Sequence, residues 1–105
     1  MNEKTIEWNL GFARDEVIAG LEKLLTQAGY TYTRAETDAE DRFQVTLPQG
    51  TVALVVRPLP SRRSPFGPQI VFHRTLLVMT YTGVSAQEEE TFLHRLTLTF
   101  LRAGG

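Results

Sequence analysis

Five arginines lie within a stretch of 46 residues, 42–87, that contains no aspartate or glutamate. A guanidinium group stays positively charged at physiological pH and donates paired hydrogen bonds to phosphate or carboxylate oxygens. All twelve acidic residues flank this stretch, so a chain with a formal net charge of −1 separates its charges along the sequence. The separation predicts a cationic surface that meets an acidic partner.

The candidate contact residues surround a proline-rich segment in the middle of that stretch. They are Arg57, Arg62, Arg63, Phe66, His73 and Arg74, with Arg42 on or near the same sheet. They suit an acidic protein surface or the phosphates of a nucleic acid, although arginines also simply keep such segments soluble. A dedicated nucleic-acid protein is usually strongly basic and carries several stacking aromatics. Because this chain has an isoelectric point near 6.1, protein binding is the preferred interpretation.

Patterns for catalysis and metal binding are weak. The chain has no cysteine, which excludes disulfides and thiolate sites. His94 and Glu90 have the i, i+4 spacing of one helical face, but two ligands do not make a zinc site and no third is placed by the sequence. The acidic run Glu88–Glu90 is typical of a solvated first helical turn. We therefore predict a protein without enzymatic activity, metal or cofactor.

Two helices are predicted from the spacing of apolar residues. A stripe at i, i+3, i+4 and i+7 indicates a helix over 14–28, with Gly29 as its left-handed C-terminal cap. Ser85 and Glu88 form a capping box that opens a second helix. Its end, 96–102, also has the period of a strand; the good cap and the continuing stripe favour a helix, which leaves Leu98 exposed.

The remaining segments alternate between apolar and polar residues, as strands do. The predicted strands follow the sequence segments 5–12, 30–33, 42–47, 51–57 and 69–82. Residues 58–68 contain four prolines, which predicts an extended or polyproline-like loop. The last strand is apolar on both faces, so we expect its second face to be covered by another subunit or by that loop.

These elements predict one α+β domain over residues 1–105. Their order, β-α-β-β-β-β-α, gives a single antiparallel sheet with two helices packed on one face. No apolar run approaches the ~18 residues of a membrane span. The acids near the N-terminus are unlike a signal peptide, and the lack of cysteine suits a reducing compartment. We expect a soluble, cytoplasmic protein.

A helix that ends in Gly29-Tyr30, a β-meander, and a strand that runs through Gly83-Val84-Ser85 into an acidic helix resemble the YbjN family. The resemblance covers roughly residues 13–102. That family shares the fold of type III secretion chaperones, which implies a small, often dimeric, non-enzymatic protein that binds other proteins. The same order of elements is also that of TATA-binding-protein-like domains. We therefore expect an adaptor or chaperone-like homodimer whose interface uses the last strand and the basic loop.

Overall fold

The computed structural model describes residues 3–64 and 67–100, without the side chains of residues 61–72. Five strands and two helices follow one another in the predicted order, which confirms the α+β class. They are β1 (Glu3–Leu10), α1 (Arg14–Ala28), β2 (Thr31–Glu36), β3 (Asp41–Thr46), β4 (Thr51–Ser64), β5 (Gly67–Thr82) and α2 (Ala86–Phe100).

The strands form one antiparallel sheet in the order β1-β5-β4-β3-β2. Strands β2 to β5 are a meander, and β1 pairs with β5 at the far edge. Helix α1 therefore connects the two outermost strands, and it crosses the sheet with α2 beside it. Among the described residues, no helix is both long and apolar enough to cross a membrane.

The core lies between the sheet and the helices. Alternate residues of β3, β4 and β5 point to the helices and are almost fully buried, as the period of two requires. Five side chains of α1 complete this layer (Val17, Ile18, Leu21, Leu24 and Leu25). The ring of Phe92 packs α2 against the sheet. The centroid of this ring lies 6.1 Å from that of the Tyr81 ring and 5.6 Å from that of the Tyr30 ring.

Helix α1 ends, and helix α2 begins, where the sequence predicts. Gly29 has φ of 77°, and the amides of Gly29 and Tyr30 donate to the last carbonyl groups of α1. At α2, the Ser85 hydroxyl accepts a hydrogen bond from the Glu88 amide at 3.2 Å. The sequence predicts a helix over 96–102. Residues 96–100 are helical, 101 and 102 lie outside the described residues, and Leu98 is 55% exposed.

The loop predicted over residues 58–68 is wrong for the part that the structure describes. Strand β4 continues to Ser64 and β5 begins at Gly67, so the two form a ribbon beyond the sheet. Strand β3 pairs with β4 only as far as Val56. Beyond that point β4 has β5 as its one neighbour in the described sheet, and an edge strand tolerates residues without an N–H, such as Pro58.

Candidate binding face

The face of the sheet opposite the helices carries most of the predicted contact residues that the structure describes. We call it the open face. Its residues alternate with those of the core and are drawn from all five strands. They are Glu3, Thr5, Glu7 and Asn9 (β1); Arg74, Leu76, Val78, Thr80 and Thr82 (β5); Thr51, Ala53, Val55, Arg57 and Leu59 (β4); Arg42, Gln44 and Thr46 (β3); and Thr31, Thr33 and Ala35 (β2).

The strand register arranges these residues in rows across the sheet. The central row reads Glu7, Val78, Val55 and Arg42, from β1 through β5 and β4 to β3. Val55, Val78 and the adjacent Leu76 are half-buried although neither helix lies on this side. The open face therefore has an aliphatic centre. The glutamates of β1 lie on one side of it, and Arg42 of β3 and Arg57 of β4 lie on the other.

Two of the arginines share a single carboxylate. Glu40 precedes β3, and its Oε1 accepts hydrogen bonds from Arg57 Nε at 3.2 Å and Nη2 at 2.9 Å. Its Oε2 accepts from Nε of Arg42. The side chains of Arg42 and Arg57 remain 67% and 52% exposed, whereas that of Glu40 is 10% exposed. This cluster carries one surplus positive charge on the open face.

The acid-free stretch of sequence does not become an acid-free surface. Glu40 comes from the acidic flank, and strand β1 brings Glu3 and Glu7 to the same face. Among the described side chains, three arginines and three glutamates thus share the open face. Glu3 and Glu7 lie on β1, whereas Glu40 lies between Arg42 and Arg57. The presence of both signs favours a partner that is itself mixed in charge over a uniformly anionic polymer.

Arg74 and His73 are neighbours in β5 but lie on opposite sides of it. Arg74 is on the open face, where its Nε donates to Asn9 Oδ1 at 3.3 Å. His73 is exposed on the other side of the strand, in the ribbon. The structure therefore brings Arg42, Arg57 and Arg74 together and leaves His73 outside the group.

The remaining predicted residues are placed only in part. Arg62 pairs with Phe72 and Arg63 with Val71 along the ribbon, and their side chains lie outside the description. Phe66 lies outside the described residues altogether. The described portion of the candidate site is consequently the sheet face and not the tip of the ribbon.

A shallow depression of about 440 Å³ lies on the basic half of the sheet. The open-face side chains of β2, β3 and β4 line it, among them Thr33, Arg42, Gln44 and Val55. Its floor mixes aliphatic and polar atoms, and it is open to solvent.

Sequence reasoning missed a buried carboxylate on the helical side of the sheet. Asp41 is fully buried, and its Oδ2 accepts from Arg14 Nε at 2.7 Å. Its Oδ1 accepts from Arg34 Nε and Nη2 at 3.3 and 3.1 Å. Arg14 also donates to the carbonyl oxygens of Thr37 and Asp38, at 2.7 and 3.1 Å. The cluster joins the start of α1, strand β2 and the turn before β3.

The pair His94 and Glu90 lies exposed on α2, along a shallow groove with Gln87 and Thr91. Within the described part of the chain, no group of three or more His, Cys, Asp or Glu side chains is placed to hold a metal ion.

Glu40 gives the open face a testable pH dependence. Hydrogen bonds from Arg42 and then Arg57 hold the pKa of Glu40 below its usual value of about 4.3. A carboxylate whose pKa is lowered by folding stabilises the folded state at any pH above its usual pKa. This stabilisation is lost as the pH falls through the pKa of the folded state. We expect Glu40→Gln to lower the free energy of unfolding at neutral pH, with a difference from the wild type that shrinks below about pH 4. Urea unfolding over a pH series measures it; a difference that stays constant in acid contradicts the assignment.

No model of a known protein family matches the chain, and the search of curated proteins gives no match.

Proposed function

We propose that this chain is a non-enzymatic binding protein, adaptor-like or chaperone-like, that acts through protein–protein contacts on the open face and associates as a homodimer. The observation that carries the proposal is the aliphatic centre formed by Val55, Leu76 and Val78 on a sheet face that neither helix covers. Sheets usually bury such a face against another layer. The resemblance to the YbjN family supports the same function.

The composition of the open face agrees with that of a protein interface. Interfaces combine an apolar centre with a polar rim, and arginine is enriched among their residues. Here Val55 and Val78 are adjacent partners on β4 and β5, and threonines together with Arg42, Arg57 and Glu7 surround them. Burial of the centre supplies affinity, and the rim selects the partner.

Sedimentation velocity at micromolar concentration tests this function. We expect the wild-type chain to sediment as a dimer of the 11.8 kDa protomer, and Val78→Lys or Val55→Glu to shift it to monomer. Each new charge lies beside an opposite charge on the same face, Glu7 or Arg42, so folding is retained. Because the two substitutions differ in sign, a shared effect identifies the apolar contact as its cause.

Leu98→Glu is the matched control, since Leu98 is an exposed aliphatic side chain on the helical side. It is expected to leave the dimer intact, and the thermal unfolding of all three variants verifies their folding. A wild-type chain that sediments as a monomer, or a dimer that Leu98→Glu alone dissociates, would overturn the proposed function.

A second candidate function, binding of a nucleic acid or another anionic ligand through residues 57–74, has one observation in its favour. Arg57 and Arg74 project from the same face, and the Arg42–Arg57–Glu40 cluster carries a surplus positive charge. This function requires an affinity that falls steeply with salt as counterions are released. The proximity of Glu3 and Glu7 weighs against it.

A further inference from the structure

We propose that the open face binds a second copy of itself about a two-fold axis that runs parallel to the strands, between β4 and β5. This inference rests on the proposed function and specifies its partner and register. It follows from where the strand pairing places the charges of the open face. Because a two-fold contact uses the same patch on both copies, the patch must be complementary to itself.

Two of these charges, Glu7 and Arg42, occupy opposite sides of the aliphatic centre. Glu7 lies on β1, one strand outward from Val78, and Arg42 lies on β3, one strand outward from Val55. Neighbouring strands are about 5 Å apart, so both charges are equally far from a line drawn between β4 and β5. All four residues stand in one row of the sheet.

A two-fold axis along that line exchanges the two sides of the row. Val78 then stacks on the partner's Val55, and Glu7 lies over the partner's Arg42. Both contacts occur twice in the dimer. In the next row, Leu76 meets the partner's Arg57, whose aliphatic stem can cover it while the guanidinium group stays on Glu40.

The other arrangement of aligned sheets fails on charge. A two-fold axis perpendicular to the strands through the central row places Glu7 on the partner's Glu7 and Arg42 on the partner's Arg42. Like charges placed opposite each other in an interface are strongly unfavourable. For a dimer centred on this row, the axis parallel to the strands is therefore favoured.

The ion pairs within one protomer lead to the same register. Glu40 serves two arginines, and its cluster keeps a surplus positive charge with Arg42 67% exposed. Glu7 is exposed and makes no ion pair with any described residue of its own chain. In the proposed dimer the partner's Glu7 adds a second carboxylate to the cluster of Arg42, Arg57 and Glu40. Packed sheets differ by about 30° in strand direction, and these side chains are long enough to meet across that rotation.

A charge exchange tests the register by sedimentation equilibrium. Glu7→Arg and Arg42→Glu each place like charges together at two symmetric contacts. At about tenfold for each contact, the dissociation constant of the dimer rises about 100-fold. Mixing the two variants restores both contacts in a heterodimer, and so does the double variant Glu7→Arg/Arg42→Glu in a homodimer. We expect both to return to within about tenfold of the wild-type constant.

Glu3→Arg is the matched control, because it makes the same change of charge on the same strand and face. In the proposed register Glu3 faces the partner's Thr46, and the dissociation constant is expected to change less than about threefold. Equal losses for Glu3→Arg and Glu7→Arg would overturn the register, as would failure of the mixture to recover.

Chemical cross-linking gives a second measurement that does not depend on the stability of Arg42→Glu. The chain has no cysteine, so Glu7→Cys mixed with Arg42→Cys offers one defined pair of thiols to a short bis-thiol reagent. We expect covalent heterodimers from this mixture and few from Glu3→Cys mixed with Arg42→Cys. The reverse preference would overturn the register.

Failure of the register and failure of the proposed function give different results. If Val78→Lys dissociates the dimer but the charge exchange changes nothing, the open face is the interface and the inferred axis is wrong. If the wild-type chain sediments as a monomer, both the proposed function and the inferred register are wrong.

Discussion

Asp41→Ala is expected to lower the free energy of unfolding by about 3 kcal/mol. The carboxylate is fully buried, and two guanidinium groups hydrogen-bond to it. Removing one partner of such a cluster leaves the others without their countercharge in a partly desolvated place. Arg14 and Arg34 are 19% and 30% exposed, which lets water recover part of the loss and places the effect at the lower end of the range for buried pairs.

Urea unfolding monitored by circular dichroism measures this loss, and a fall in Tm of more than about 10 °C accompanies it. Glu36→Ala is the control, since Glu36 lies 3.6 Å from the same Arg34 but is 66% exposed. Its effect is expected to stay within about 0.5 kcal/mol. Similar losses of unfolding free energy for the two variants would show that burial does not determine how much Asp41 contributes to stability.

Gly50→Ala is expected to cost about 3 kcal/mol, because it combines backbone strain with a collision. Gly50 has φ of 91°, which residues with a β-carbon rarely adopt. A β-carbon there would lie 2.5 Å from the backbone oxygen of Thr82 and 2.6 Å from the carbonyl carbon of Gly83. Neither atom belongs to a flexible side chain, so the turn after β3 or the end of β5 must shift.

Gly29→Ala separates the two causes. Gly29 also has a positive φ, 77°, but a β-carbon there meets nothing within 4 Å. Its expected cost is about 1 kcal/mol, the strain of the left-handed conformation alone. Denaturant unfolding of both variants tests the difference, and equal losses would contradict the close approach of the turn to β5.

The fold was predictable because its elements follow local rules. The apolar stripe of residues 14–28, the glycine at position 29 and the Ser85 cap each satisfy backbone groups near them in sequence. The ribbon was not predictable from composition. Prolines argue against a central strand, but whether β4 is central or at an edge beyond Val56 depends on where β3 ends.

The candidate site was predictable in kind but not in its charge balance. Arg42, Arg57 and Arg74 do share a face, as alternation along paired strands requires. Their counter-ion, Glu40, lies in a turn whose path depends on tertiary structure. The burial of Asp41 could have been predicted from the alternation in β3. Asp41 is two residues before Phe43 and four before Val45, so its side chain points to the same side of the sheet, into the core.

The ribbon of β4 and β5 also bears on how the chain avoids aggregation. A strand that leaves a sheet exposes a row of backbone groups to which a foreign strand can add. Pro58 and Pro60 stand in that part of β4, and a proline brings no amide hydrogen to such an edge. The ribbon is therefore a poor template for the addition of further strands. This protection against aggregation does not depend on which partner the protein binds.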